Sequence, residues 1–158
     1  MYSTISITVC ILTLVLFSVN ADLTCNQTII DNILKLKSCP TNILQKLHTM
    51  SPVTTAVLHE TDVQDYMKCS KIMIHAPEDK KANANFTAYF KNEATPPLQV
   101  SYRQEEVGCG HINDIYDDGQ YQVYFLNVNK AVCIYRCPIA PTKGVATARA
   151  LVPVANNT

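Results

Sequence analysis

Cys109 and His111 stand two residues apart, and a thiol beside an imidazole is the raw material of a nucleophile. Six cysteines remain once Cys10, inside an apolar N-terminal stretch, is set aside, and in that company Cys109 reads as oxidised rather than catalytic. The acidic run Asp114-Ile115-Tyr116-Asp117-Asp118-Gly119 invites a calcium loop, yet Tyr116 occupies the third position and Phe125 stands where a bidentate Glu belongs. Asp117-Asp118-Gly119 reads instead as a hairpin turn. A zinc site has no C-x2-C pair to start from, and His48, His59, His75 and His111 show no ligand spacing against the cysteines. No G-x-S-x-G, H-E-x-x-H or glycine-rich phosphate loop occurs, so no enzyme, metal or cofactor is expected.

Binding chemistry must therefore come from the elements that carry these residues. Of 158 residues, 13 are basic and 13 acidic, and none of these charges falls in the first 21. Zero net charge excludes an electrostatically driven nucleic-acid binder and leaves no polybasic surface for anionic membranes. Ile5 to Phe17 is an apolar stretch of 13 residues, short of the roughly 20 that span a bilayer. With Val19 and Ala21 behind it, it reads as a signal peptide over residues 1–21. A secreted, extracellular product of one disulfide-stabilised domain, residues 22–158, is the expectation.

In that compartment Cys25, Cys39, Cys69, Cys109, Cys133 and Cys137 imply three disulfides with no free thiol and 15 possible connectivities. A helix between Cys25 and Cys39 would hold them about 21 Å apart. A strand from Cys133 to Cys137 would hold that pair about 13 Å apart. Neither distance allows a bond, which needs Cα atoms within about 7 Å.

Periodicity divides the domain. Over residues 22–50, Ile29, Ile30, Ile33, Leu34 and Leu36 recur at helical spacing up to Cys39-Pro40, and Ile43, Leu44 and Leu47 add a shorter pattern before Ser51-Pro52. The helical opening reads as packed on the domain and stapled by a cysteine. Over residues 53–154 the pattern turns to strands at Thr54–Glu60, Tyr66–Ala76, Ala84–Asn92, Leu98–Val107, His111–Tyr116, Gln120–Val128, Ala131–Pro138 and Val145–Val154. Eight short-looped strands make an antiparallel meander, mainly β, able to close into a barrel around one small ligand. Alternation sets Phe86, Ala88 and Phe90 on one face and Asn85, Thr87, Tyr89 and Lys91 on the other. Leu98, Val100 and Tyr102, and Tyr121, Val123 and Phe125, fall on the same apolar side. Asn26-Gln27-Thr28 and Asn85-Phe86-Thr87 are glycosylation sequons, and a glycan at Asn85 requires its face to meet water. Asn156 matches too, near the chain end.

The run "YMKCSKIMIHAPEDKKANANFTAYFKNEATPPLQVSYRQEEV" resembles the second to fourth strands of the tick salivary lipocalins, the histamine-binding-protein family. "DDGQYQVYFLNVNKAVCIYRCP" resembles that family's acidic-Gly-Gln hairpin and the strands after it, through Asp118, Gly119, Gln120, Cys133 and Pro138. The resemblance covers Tyr66–Pro138. This sequence lacks the family's Glu-Leu-Trp strand, C-terminal helix and further cysteines, so the usual partners of Cys69 and Cys133 are missing. Cys25, Cys39, Cys109 or Cys137 would have to substitute.

The resemblance implies a salivary-type lipocalin that sequesters a small mediator, either a biogenic amine such as histamine or serotonin or a lipid. Phe86, Phe90, Leu98, Val100, Tyr102, Tyr121, Val123 and Phe125 would line its wall. Glu60 and Glu106 are the inward carboxylates that an amine would need. The competing reading is a filled barrel whose surface inhibits a host protease, complement factor or chemokine.

Overall fold

The computed structural model describes residues 25–36, 40–59, 66–144 and 146–154. Helix α1 (Gln27–Leu34) and helix α2 (Ile43–Met50) precede eight strands. These are β1 (Val53–His59), β2 (Met67–Ile74), β3 (Lys81–Phe90), β4 (Leu98–Gly108), β5 (His111–Tyr116), β6 (Gly119–Val128), β7 (Val132–Ile139) and β8 (Thr147–Pro153). Each strand pairs antiparallel with the next, and β1 pairs with β8 from Val53↔Pro153 to His59↔Ala148, closing the barrel. The β1–β2 ladder is the shortest, registered at Val53↔Ile72, and closure fixes a bore whose lining is every second residue.

The turns are tight where the sequence allows it. Asp117 and Asp118 connect β5 to β6, with Tyr116 opposite Gly119. Asp79 and Lys80 both have positive φ, 46° and 63°, as a two-residue hairpin with right-handed strand twist requires. In an up-and-down barrel, the β2–β3, β4–β5 and β6–β7 turns share one end with the start of β1. The β1–β2, β3–β4, β5–β6 and β7–β8 connections share the other.

Helix α2, which leads directly into β1, stops the first of these ends. Ile43 and Leu44 are fully buried and Leu47 nearly so, in one cluster with Val53, Ile74, Ile112, Val123, Phe125 and Leu151. The helix N-terminus lacks a side-chain cap from Asn42, whose φ is 52°. Its orphan donor is met from across the barrel instead: the Leu44 amide donates to Glu106 Oε1 at 2.8 Å. The other end of the helix is tied to β2, where Ile74 N donates to Ser51 Oγ at 2.8 Å and His48 Nδ1 lies 2.9 Å from the Ile74 carbonyl.

Helix α1 lies on the outer wall. Asn26 caps it, its Oδ1 accepting from Thr28 N at 3.0 Å and Ile29 N at 3.3 Å. Ile30 and Ile33 bury against Tyr124, Tyr135 and Cys137. The helix stops at Leu34, short of the expected Leu36, and both leucines are exposed. Cys25 bonds to Cys137, with Cα atoms 5.5 Å apart, and staples the helix to β7. Cys109 and Cys133 are also disulfide-bonded. Cys69 is not: it is an exposed free thiol, which corrects the expectation that every cysteine past the signal segment pairs. It stands opposite Tyr89 on the β2–β3 wall, whereas Cys133 and Cys137 belong to β7. The signal segment, Cys10, Cys39, Glu60, Val145 and Asn156 lie outside the described residues.

The staple closes a loop of 112 residues. Replacing both Cys25 and Cys137 by Ala should cost about 2–5 kcal/mol in urea unfolding, while the far-ultraviolet spectrum of the barrel persists. Unchanged stability would mean that packing of Ile30 and Ile33 alone secures α1.

Candidate functional site

The barrel encloses a cavity of ≈ 350 Å³ above the α2 floor. Its lower part is apolar, with Leu47, Val53, Ile74, Ile112, Phe125 and Leu151. Its upper part is not. Parity along β4, β5, β7 and β8 turns Gln104, Asp114, Arg136 and Arg149 inward, together with Tyr102, Tyr116 and Tyr121.

The register brings these groups together. Gln104 pairs with Asp114 across β4–β5, and Gln104 Nε2 donates to Asp114 Oδ1 at 2.9 Å. Arg136 reaches Asp114 from β7, Nε donating to Oδ2 at 3.4 Å, with both side chains largely buried. The guanidinium lies 3.4 Å from the centroid of the Tyr121 ring and 5.5 Å from that of Tyr116. Tyr116 stacks in turn on Tyr102, centroids 4.6 Å apart, and meets Tyr121 edge-on at 5.8 Å. Cation–π attraction and ring stacking therefore hold the arginine in place from two sides.

Burial sets the protonation states. It pushes the Asp114 carboxyl above its ordinary value, outweighing the opposing pull of Arg136 and the hydrogen bond from Gln104. Burial, with the Asp114 charge adding to it, raises Tyr116 to about 12 and carries Tyr102 well above 10.0. Both phenols keep their hydrogens at neutral pH. Within this band Gln104 Oε1 is buried with no hydrogen-bond partner among the described residues.

Six of the ten residues expected to meet a ligand line this cavity: Phe86, Val100, Tyr102, Tyr121, Val123 and Phe125. Four do not. Leu98 is 52% exposed, and Phe90 sits against the Tyr66 ring at 5.8 Å, away from the cavity. Both have inward parity but stand at strand ends next to the β3–β4 connection, above the enclosed bore. Glu106 is committed to α2, and Glu60 lies outside the described residues. Gln104, Asp114, Tyr116, Arg136 and Arg149 were missed. The available signal was a charge interrupting an apolar face: Asp114 between Ile112 and Tyr116, and Arg136 two residues after Ile134.

Asn85 and Asn26 are both exposed, and Asn85 faces away from the bore. Its amide is held by Ser101 Oγ, donating to Oδ1 at 2.9 Å, and by His75 Nε2, 3.0 Å from Nδ2. A shallow outer hollow of ≈ 320 Å³ lies beside it, between Lys71, Met73, Thr87, Tyr89 and Gln99.

No protein-family model matches the chain, and no curated protein matches it. The resemblance to tick salivary lipocalins thus gains no support from sequence comparison. Among solved structures, one described as "The Siderocalin Ex-FABP functions through dual ligand specificities" is similar at 10% identity. It covers 65% of this chain and 69% of its own, with a TM-score of 0.46. The barrel architecture itself rests on the strand pairing.

The raised carboxyl of Asp114 has a pH signature. The folded chain holds that proton more tightly than the unfolded chain, so this contribution to stability is full below the unfolded value, near 3.8. It is lost as pH rises through the higher folded value. The stability of the wild type minus that of Asp114→Asn should therefore fall as pH increases from about 4. Urea unfolding at a series of pH values measures this. A difference that rises with pH would mean that Arg136 and Gln104 outweigh burial.

Proposed function

We propose that this chain is a secreted binding protein that holds one small amphipathic molecule inside its barrel. The observation that carries this reading is the division of a ≈ 350 Å³ interior into an apolar floor and a hydrogen-bonding band. Pockets of this kind bind by apolar contact and orient their ligand through a few fixed polar groups. Helix α2 seals the floor, so a ligand would enter from the end that carries the β5–β6 turn, where the exposed Asp118 lines the mouth.

The apolar segment Ile5–Phe17 and the disulfides support secretion. Use of the sequons at Asn26 and Asn85 belongs to the same reading. A sequestered mediator, amine or lipid, is the biological role that fits it. Between the two, the amine loses a sequence-based anchor, since Glu106 is occupied at the helix N-terminus.

Native mass spectrometry on secreted, unreduced protein should find one small molecule per chain, or uptake of one added 1-naphthol. Phe125→Ala should weaken 1-naphthol binding by about tenfold or more, a change of ~1.4 kcal/mol. Gln122→Ala should leave it unchanged, because Gln122 is not part of the cavity lining and its Oε1 accepts from Tyr124 Oη. Truncating a buried Phe also costs about 3–5 kcal/mol of stability, so affinity is measured on protein shown to be folded. A folded wild type that takes up no 1-naphthol would overturn interior binding and move function to the outer surface.

A further inference from the structure

Resting on interior binding, we infer that the ligand is a small aryl carboxylate that also carries a hydroxyl or N–H donor. Three features of the polar band lead there. The first concerns anions already present. Asp114 Oδ1 accepts from Gln104 and Oδ2 from Arg136, and Glu106 accepts from the Leu44 amide. An ammonium group would therefore share a carboxylate whose charge already serves Arg136 or the α2 N-terminus, apart from the exposed Asp118 at the mouth.

The second feature is Arg136. A guanidinium has five N–H donors, more than Asp114 Oδ2 and the neighbouring Tyr116 hydroxyl can take up. Stacked against Tyr121, the group is oriented before any ligand arrives, and it lines the cavity. A preset fork of this type matches a carboxylate bidentately. Arg149 adds a second positive charge to the lining.

The third feature is Gln104. Its amide nitrogen is committed to Asp114, so turning the amide over would set its oxygen against a carboxylate oxygen. Gln104 Oε1 is thereby fixed as an acceptor, on a residue only 5% exposed, with nothing to accept from among the described residues. A buried unmet acceptor is costly, and a donor on the ligand would relieve it. The space is at the small end of ligand pockets and is walled by Tyr102, Tyr116 and Tyr121, which suits one aromatic ring better than a long acyl chain.

The test is competition against 1-naphthol on the full secreted protein with three probes of one shape: 3-(4-hydroxyphenyl)propanoate, 3-phenylpropanoate and tyramine. The hydroxy acid should bind about tenfold more tightly than the plain acid, and the plain acid about tenfold more tightly than the amine. In folded Arg136→Met the preference for acid over amine should vanish. In folded Gln104→Met the advantage of the hydroxyl should vanish while the acid preference remains. The wild-type ranking decides the matter even if either variant fails to fold. Tyramine binding as tightly as the acids, with 1-naphthol still bound, would overturn the anionic ligand and leave interior binding intact. Equal affinity of the two acids would overturn the donor requirement. Failure of all three probes and of 1-naphthol would overturn interior binding itself.

Discussion

A guanidinium and a carboxylate inside a closed barrel cannot both stay ionised unless they meet, because each is costly to remove from water alone. Arg136 and Asp114 come from β7 and β5, separated by β6, and the register of β6 against both strands decides that they can touch. Val123 lies opposite both Ile112 and Arg136, while Tyr121 lies opposite Asp114. A one-residue slip in either ladder would turn one charge outward and strand the other. The pair thereby ties polar chemistry to strand register. It also explains the aromatic cluster: Tyr116 and Tyr121 form the surfaces against which a long side chain can be held without more carboxylates.

The floor has a different physical basis. Helix α2 has eight residues, too few to be stable alone, and its N-terminus has no local side-chain cap. It exists because Ile43, Leu44 and Leu47 fill the end of the bore and because Glu106 reaches its first turn. An acidic group at a helix N-terminus also meets the favourable end of the helix dipole. Closing one end with side chains from a helix, while the upper band retains space, is what makes the interior a pocket.

Much of this was legible in residue order. Strand β5 lies at His111–Tyr116 as alternation and its flanking turns imply, and the remaining seven strands lie within a few residues of their expected positions. Six of the residues chosen by parity, from Phe86 to Phe125, lie in the cavity lining. Height along the bore was not legible, because alternation says which face a residue takes and nothing about how far the barrel wall extends around it. Leu98 and Phe90 show the difference. Asp114 was hidden by its neighbours: read with Asp117 and Asp118 it looks like turn chemistry, yet it lies three residues inside the strand. Glu106 had the right parity and a different task, since a cap supplied across 62 residues leaves no trace in local sequence. Cys69 escaped for a similar reason, because pairing depends on which wall a strand occupies.

The most direct test is where an interior probe touches the protein. Nuclear Overhauser effects between bound 1-naphthol and methyl groups can be measured on the disulfide-intact chain. Contacts to the methyls of Ile112, Val123 and Ile134, with a shift of the Arg136 Nε–H resonance, are the expected result. Contacts confined to Thr87 and Met73 in the outer hollow, with the Arg136 resonance unmoved, would contradict the account.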